Sequence, residues 1–190
     1  MLLRKLKSFL IRIKTPQTWL PFLREYWCKF KLKRSGEHIN IWPGVKIFSP
    51  ERVELGNNVT LFNNVLIYGG ENGYVKIGDN SHVAPFAVIN GEGGVKIGSK
   101  VGISAGVKIY SISFNENDPT RDFLDVPVKL KEIVIEDNVM IGANSVLLPG
   151  VKIGRGSIIG AGAVVIRDVP SNSVAVGVPA RVVKTRNAQN

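Results

Sequence analysis

Apolar positions recur every six residues in the C-terminal half of the chain. From Ile135 onward an aliphatic side chain stands at every sixth position, and a small or β-branched residue follows four places later. The aliphatic positions are Ile135, Ile141, Leu147, Ile153, Ile159 and Val165. A helix repeats its apolar face about every 3.6 residues and a strand about every two, so neither alone explains the spacing. The period is typical of a parallel β-helix, in which each unit is one short strand and one turn.

The same rhythm begins less regularly near Ile39. Three units make one coil of 18 residues, but the first units of successive coils are 22, 20 and 38 residues apart. These first units are Leu55, Ile77, Ile97 and Ile135. Each excess follows the third unit of its coil, so we expect every insertion at one edge of the prism. In repeat proteins such an edge is often the functional one.

The spacing divides the chain into three parts. We predict a basic helical segment over 1–38, a β-helix over 39–170 with a loop insertion at about 111–130, and a C-terminal tail over 171–190. The loop is rich in polar and turn residues, and long loops of this kind in compact domains are commonly functional. The fold class is an all-β solenoid with a short α-helical N-terminal segment.

Most of the net charge of +10 lies in residues 1–34, which contain ten Lys or Arg and one acid, Glu25. Apolar residues at helical spacing predict two amphipathic helices in this segment. Two interpretations stay open: peripheral contact with an anionic membrane surface, or a cap on the open end of the solenoid. A cleaved signal peptide is disfavoured because Arg12 and Lys14 interrupt the apolar run. Nothing on the solenoid favours nucleic acid as a partner.

Cys28 is the single cysteine, so no internal disulfide can form. Its isolation fits a cytoplasmic protein. Contact with the inner face of the membrane would follow from the first of the two interpretations of residues 1–34. No run of about 18 apolar residues predicts a membrane-spanning helix.

The tract from Asn138 to Pro170, followed by GVPARVVK, resembles the hexapeptide-repeat acyltransferases, most closely those that acetylate sugars. The resemblance covers residues from about Ile39 to Lys184. It implies a left-handed β-helix, which departs from the usual right-handed crossover. It also implies a homotrimer that holds acetyl-CoA in a groove between subunits, with no metal. A zinc carbonic anhydrase on the same solenoid is excluded, since it needs three histidines and the chain has two.

The resemblance also implies cofactor-binding positions. They fall on Met140, Ala143, Ala161, Ile166, Arg167 and Lys184. Small residues at these corners, with Gly142 and Gly160, would let an extended pantetheine arm approach the backbone. Arg167, Arg181 or Lys184 would meet the phosphates of CoA. The same glycines and alanines would also be expected at the tight corners of any β-helix.

The catalytic base is the main departure from the family pattern. Many related enzymes carry a histidine in the long loop near the position of Phe114, and this loop has none. Of the two histidines, His38 precedes the first clear coil and is interpreted as a surface residue. His82 is the sixth residue of a first unit, as are Thr60, Gly102, Met140 and Ile158. We expect these five residues to form one column, with His82 about 10 Å from Met140.

His82 is therefore the predicted general base, because histidine suits proton abstraction near neutral pH. The alternative is a corner histidine bonded to a neighbouring turn. Candidates to orient it or to contact the substrate are Asn90 and Glu92, near in sequence, and Glu116 and Asp118 in the loop.

The sequence thus predicts transfer of an acetyl group from acetyl-CoA to a sugar or surface-glycan precursor, and it favours a hydroxyl over an amine as the acceptor group. The alternative is a non-catalytic trimeric scaffold or binding module attached to the membrane surface, for which the missing loop histidine is the best argument.

Overall fold

A computed structural model describes residues 30–114 and 126–186. Short strands wind around three faces of a prism, and each strand pairs in parallel with the strand one coil later on the same face. The parallel β-helix predicted from the six-residue spacing is confirmed.

The strands are grouped by face. The first face carries Arg34–Ser35, Val53–Leu55, Val75–Ile77, Val95–Ile97, Ile133–Ile135 and Lys152–Ile153. The second face carries Asn40–Ile41, Thr60–Leu61, His82–Val83, Gly102–Ile103, Met140–Ile141, Ile158–Ile159, Ser173–Gly177 and Ala180–Thr185. The third face carries Lys46–Phe48, Leu66–Tyr68, Val88–Asn90, Lys108–Tyr110, Val146–Leu147 and Val164–Val165.

The core is a continuous apolar column inside the prism. Each coil contributes one aliphatic side chain per face, and the strand register stacks it on its equivalent in the next coil. Ile135, Ile141 and Leu147 of one coil are almost completely buried, as are the equivalent side chains of the neighbouring coils. This stacking explains the period of six, since every unit must return one side chain to the interior.

The corners repeat a left-handed backbone conformation that favours glycine and asparagine. Between the first and second faces it is adopted by Asn58, Asn80, Lys100, Asn138 and Gly156. His38 begins this series with a φ of 56° and is exposed. The interpretation of His38 as a surface residue agrees with this position.

Extra residues emerge at one edge, between the third face and the first. They include the 3₁₀ helix Pro50–Arg52, the segments 69–74 and 91–94, and an antiparallel hairpin of Ile112–Phe114 with Val128–Leu130. The expectation that all insertions share an edge is confirmed for the described residues. The hairpin forms the described part of the predicted loop insertion at 111–130.

The strand ladder extends past the predicted limits of 39 and 170. Arg34–Ser35 pairs with Val53–Leu55, and the nearby Leu32 is buried. At the other end Ser173–Gly177 pairs in parallel with Ile158–Ile159, and Ala180–Thr185 folds back on it. The tail therefore contributes two strands to the second face.

The predicted basic helices lie almost entirely outside the described residues, as do Glu116 and Asp118. Within 30–114 and 126–186, no helix has the length and apolar character needed to cross a membrane.

Candidate active site

The second face places the predicted column of residues in one row. Thr60 pairs with His82, His82 with Gly102, and Gly102 with Met140. The row continues through Ile158 and Val174 to Lys184 on the returning strand. Strands lie about 4.8 Å apart, so the backbones of His82 and Met140 are separated by about 10 Å. The column predicted from unit positions is confirmed, and it includes one residue more distant in sequence, Lys184.

His82 is exposed at the mouth of a surface pocket of about 480 Å³. The pocket is lined by Thr60, Phe62, His82, Ala84 and Pro85. The Phe62 ring lies edge-on to the imidazole, with centroids 6.4 Å apart. An exposed imidazole at a partly apolar pocket is available to a substrate.

Gly102 leaves space beside the imidazole. A Cβ atom at this position would lie 3.1 Å from Cε1 and 3.3 Å from Nε2 of His82, closer than ordinary van der Waals contact. The imidazole therefore leans over the Gly102 backbone, in the direction of Met140. Met140 is itself 53% exposed, so the surface between the two side chains is open.

A second outward row, two residues further along the chain in each coil, explains why a pocket forms here. Backbone hydrogen bonds link Trp42 to the coil of Phe62, and Phe62 to the coil of Ala84. The row then continues with Ser104, Gly142 and Gly160. Because the large rings stop at Phe62, the small Ala84 leaves a depression whose wall is the Phe62 ring.

The predicted cofactor-binding residues lie in three places. The second face and its following corner, in the coils C-terminal to that of His82, hold Met140, Gly142, Ala143, Gly160 and Ala161. Arg181 and Lys184 lie on the returning strand of the same sheet and are exposed. Ile166 and Arg167 follow the third-face strand Val164–Val165, and within one chain they lie at another corner.

Gly142 also has a structural reason to be glycine. A Cβ atom there would lie 2.5 Å from the backbone nitrogen of Ala161 and 2.7 Å from the carbonyl carbon of Gly160. Close stacking of coils alone therefore demands glycine at this position.

Asn90 and Glu92, the two predicted substrate-side residues within the described ranges, do not join the pocket within one chain. Asn90 ends a third-face strand, and its Oδ1 accepts a hydrogen bond of 3.0 Å from the backbone N–H of Glu92. The Glu92 carboxylate accepts the backbone N–H of Glu71 at 3.2 Å. Both side chains stabilise the insertion edge, beyond the corner that follows the second face. None of the pocket-lining residues supplies a carboxylate to orient His82.

The clearest pKa shifts lie away from His82. A hydrogen bond from Lys152 at 2.7 Å, with another from the Arg155 backbone, lowers the pKa of Glu136. Burial, together with a hydrogen bond to Glu132 and the charge of that carboxylate, raises the pKa of Tyr74 to about 12. In the described ranges no cluster of three or more His, Cys, Asp or Glu side chains is arranged to bind a metal.

Sequence reasoning missed the aromatic side of the pocket. Phe62, Ala84 and Pro85 line it, and none was a candidate. The sequence does contain a pattern that indicates these rings. Trp42 and Phe62 each follow an inward aliphatic residue, Ile41 or Leu61, at a position where later coils carry small residues.

The comparisons with known proteins agree with the repeat pattern. The family model "Bacterial transferase hexapeptide (six repeats)" matches residues 132–167. This match supports the resemblance of the repeat tract to hexapeptide-repeat transferases.

Two other similar proteins differ in how much of the chain they cover. Over 58 residues the chain is 50% identical to 2,3,4,5-tetrahydropyridine-2,6-dicarboxylate N-acetyltransferase of Staphylococcus aureus, which is 30% of this chain. It spans only 24% of the length of those curated relatives. AntD, an N-acyltransferase from Bacillus cereus solved with dTDP and 3-hydroxybutyryl-CoA, is 28% identical. That alignment has a TM-score of 0.77 and covers 86% of this chain and 88% of AntD.

A hexapeptide-repeat acetyltransferase from Vibrio cholerae shares the fold. It is 23% identical with a TM-score of 0.65, and the alignment covers 95% of this chain and 89% of the other.

Proposed function

We propose that the protein transfers an acetyl group from acetyl-CoA to a hydroxyl or amino group of a sugar, with His82 as general base. The imidazole accepts the acceptor proton as the oxygen or nitrogen attacks the thioester carbonyl. The carbon–sulfur bond then breaks, and CoA leaves as the thiol after taking up a proton. A backbone N–H beside the cleft would stabilise the oxyanion of the tetrahedral intermediate.

The observation that carries this proposal is the position of His82. Its imidazole is exposed at a pocket on one side, and it leans over Gly102 toward Met140 on the other. An acceptor in the pocket and a thioester near Met140 would therefore meet at the same side chain. Holding both reactants beside one base supplies proximity as well as proton transfer.

The surface of the coils that follow His82 toward the C-terminus has features that suit CoA binding. Ala143 and Ala161 leave the corner backbone accessible to an extended arm, while the exposed cations Arg181 and Lys184 suit phosphate groups. AntD, which has a similar fold, was solved with CoA and with an acyl-CoA. These facts support acetyl-CoA as co-substrate.

The acceptor is proposed to be a sugar, such as a surface-glycan precursor. AntD was solved with dTDP-4-amino-4,6-dideoxyglucose. Sequence reasoning favours a hydroxyl acceptor, whereas AntD and the Staphylococcus aureus relative are both N-acyltransferases. The proposal therefore keeps both nucleophiles, and His82 would deprotonate either one.

A homotrimer is part of the proposal because the third face carries several apolar side chains in one outward row. Leu66, Val88, Val146 and Val164 stand in that row, together with the exposed Lys46 and Lys108. Beside this row the rings of Phe48 and Tyr68 stack with centroids 4.8 Å apart. A contact with other copies through this face would bury it, and would bring Ile166 and Arg167 of one copy toward the second face of another. Peripheral membrane contact through residues 1–34 is retained as a separate proposal.

Thiol release on mixing the protein with acetyl-CoA and paired acceptors tests the function. Each pair holds a sugar and its amino-deoxy counterpart, and light scattering gives the oligomer mass. We expect acceptor-dependent thiol release with one member of a pair. If no acceptor is used and equilibrium dialysis shows no binding of acetyl-CoA, the non-catalytic scaffold is the correct alternative.

A further inference from the structure

One corner residue beside the pocket has a backbone conformation that its side chain disfavours. The corner between the second and third faces repeats a left-handed turn in successive coils. The residues that adopt it are Gly44, Asn64, Phe86, Gly106, Asn144 and Gly162. Glycine and asparagine tolerate this conformation, but a bulky side chain with a φ of 63° is an outlier. Phe86 is the exception among these corners.

The environment of Phe86 does not explain its presence. Its side chain is 64% exposed, so it adds little to the core. It directly follows Pro85, which lines the His82 pocket. Strained backbone conformations of this kind cluster at active sites and ligand sites.

Two more aromatic rings lie in or next to the same pocket. Trp42 is 46% exposed, and its ring lies 5.3 Å from that of Phe62, tilted by 38°. Phe62 in turn lies edge-on to His82 and forms the pocket wall. Phe62 thus precedes Ala84 by one coil, and Phe86 follows Ala84 by two residues in the same coil.

The residues that line the pocket include no Asp, Glu, Lys or Arg among the described part of the chain. Thr60 contributes a hydroxyl, and Phe62, Ala84 and Pro85 contribute apolar surface. A charged ligand group would leave its solvation shell there without a counter-charge, which is costly. A ring with an apolar face and hydroxyl groups on its rim would lose little.

We propose that Trp42, Phe62 and Phe86 form the acceptor subsite, which binds the uncharged ring of a sugar by stacking. The hydroxyl or amine to be acetylated faces His82, and the Thr60 hydroxyl bonds to a neighbouring group on the ring. This subsite deepens the proposed function and depends on it for its role in catalysis. The proposed acceptor site therefore lies on the second face, and not at Asn90 and Glu92, which follow the third-face strand of the same coil.

The test measures sugar binding directly, without turnover. Trp42 fluorescence is titrated with neutral methyl glycosides of glucose, galactose, mannose and their N-acetylamino forms, using the full chain. Trp42→Phe identifies the signal that belongs to this tryptophan. Phe86→Gly is the informative variant, because glycine fits the left-handed corner. Asn138→Gly makes the same replacement at a left-handed corner away from the pocket.

We expect at least one glycoside to change the Trp42 signal. Loss of one stacking ring should weaken its binding about 10-fold in Phe86→Gly. The same variant should keep or raise the melting temperature, since the strained corner is relieved, and should bind acetyl-CoA unchanged. Asn138→Gly should bind the glycoside like the unmodified protein.

Three results would overturn the subsite. One is glycoside binding that changes less than about twofold in Phe86→Gly. Another is a loss of binding that accompanies a change of oligomer mass, which would make Phe86 a contact between copies. The third is no response to any glycoside while acetyl-CoA still binds, which leaves the proposed transferase function intact. Conversely, glycoside binding without acetyl-CoA binding would retain the subsite and refute the transferase.

Discussion

Adding a side chain at Gly102 would displace the imidazole of His82 without substituting His82 itself. The Cβ atom of Gly102→Ala would lie 3.1 Å from Cε1 of His82. Carbon atoms pack at about 3.5 Å or more, so the imidazole must move by about 0.4 Å. In Gly102→Val the γ carbons extend further and displace the ring by about 1 Å, a shift that can cost about 100-fold in rate.

The same change should not harm the fold. Gly102 lies in a strand, and its φ is not in the left-handed region. Replacing a strand glycine by alanine should therefore stabilise the protein by about 0.5–1 kcal/mol, provided that the ring moves freely. The imidazole is exposed, so it has room to move.

The assay is kcat/KM for acetyl transfer, together with urea unfolding of each variant. We expect a modest loss in Gly102→Ala and about a 100-fold loss in Gly102→Val, with unfolding midpoints unchanged or higher. Lys96→Val, in the same coil but on the first face, is the matched control and should keep full activity. A folded Gly102→Val with the original kcat/KM would refute the reasoning that the reaction occurs beside this glycine.

Three further predictions concern other parts of the chain. Gly142→Ala should destabilise the protein by about 1–3 kcal/mol in urea unfolding, because its Cβ would overlap the backbone of Ala161, which cannot yield. An unchanged unfolding midpoint would contradict the close stacking. Tyr74 should ionise at about pH 12 in an absorbance titration, and Tyr74→Phe should remove that component. Its pKa is raised on folding, so its stabilising contribution is present below about pH 10 and lost as the pH rises through about 12. Finally, the full chain should sediment with anionic vesicles and a form lacking residues 1–29 should not; equal sedimentation would refute membrane contact through that segment.

The deletion endpoint in the last experiment follows from the structure. Leu32 is buried and Arg34–Ser35 pairs with the next coil, so removing all of residues 1–34 would damage the first coil. Ending the deletion at residue 29 keeps these contacts.

Much of the fold was predictable because the interior imposes a strict period. Every unit must return one aliphatic side chain to the core, so the six-residue spacing of Ile141, Leu147 and Ile153 is enough to identify their strands. The same count correctly placed His82, Gly102 and Met140 in one row. Strand pairing in parallel register converts a sequence offset directly into a neighbour in space.

The ends of the solenoid were not predictable from this period. In the first coil Ser35 stands where later coils carry an aliphatic residue, so the strand Arg34–Ser35 has no apolar signal. In the last coil Val169 bridges to Ile153 two residues earlier than a strict period would place it. Because this corner is two residues shorter, the six-residue period does not predict the following strand, Ser173–Gly177. Its buried Ala175 stacks on Ile159.

The aromatic wall of the pocket was missed for a different reason. Outward positions are not constrained by the core, so the period says nothing about Phe62 or Phe86. Their arrangement depends on which coil carries a ring and which carries Ala84, and on the left-handed corner that holds Phe86. Asn90 and Glu92 were near His82 in sequence, but the chain turns a corner between them.

The central claim is that His82 is the general base, and the second histidine offers its control. His82→Gln and His38→Gln both exchange an exposed imidazole for an amide, and surface changes of this kind should alter stability by less than about 0.5 kcal/mol. The decisive measurement is kcat for acetyl transfer by the two variants at saturating acetyl-CoA. We predict that His82→Gln loses about 10²–10⁴-fold in kcat while His38→Gln keeps the original value. Equal kcat values for the two folded variants would contradict the assignment of His82.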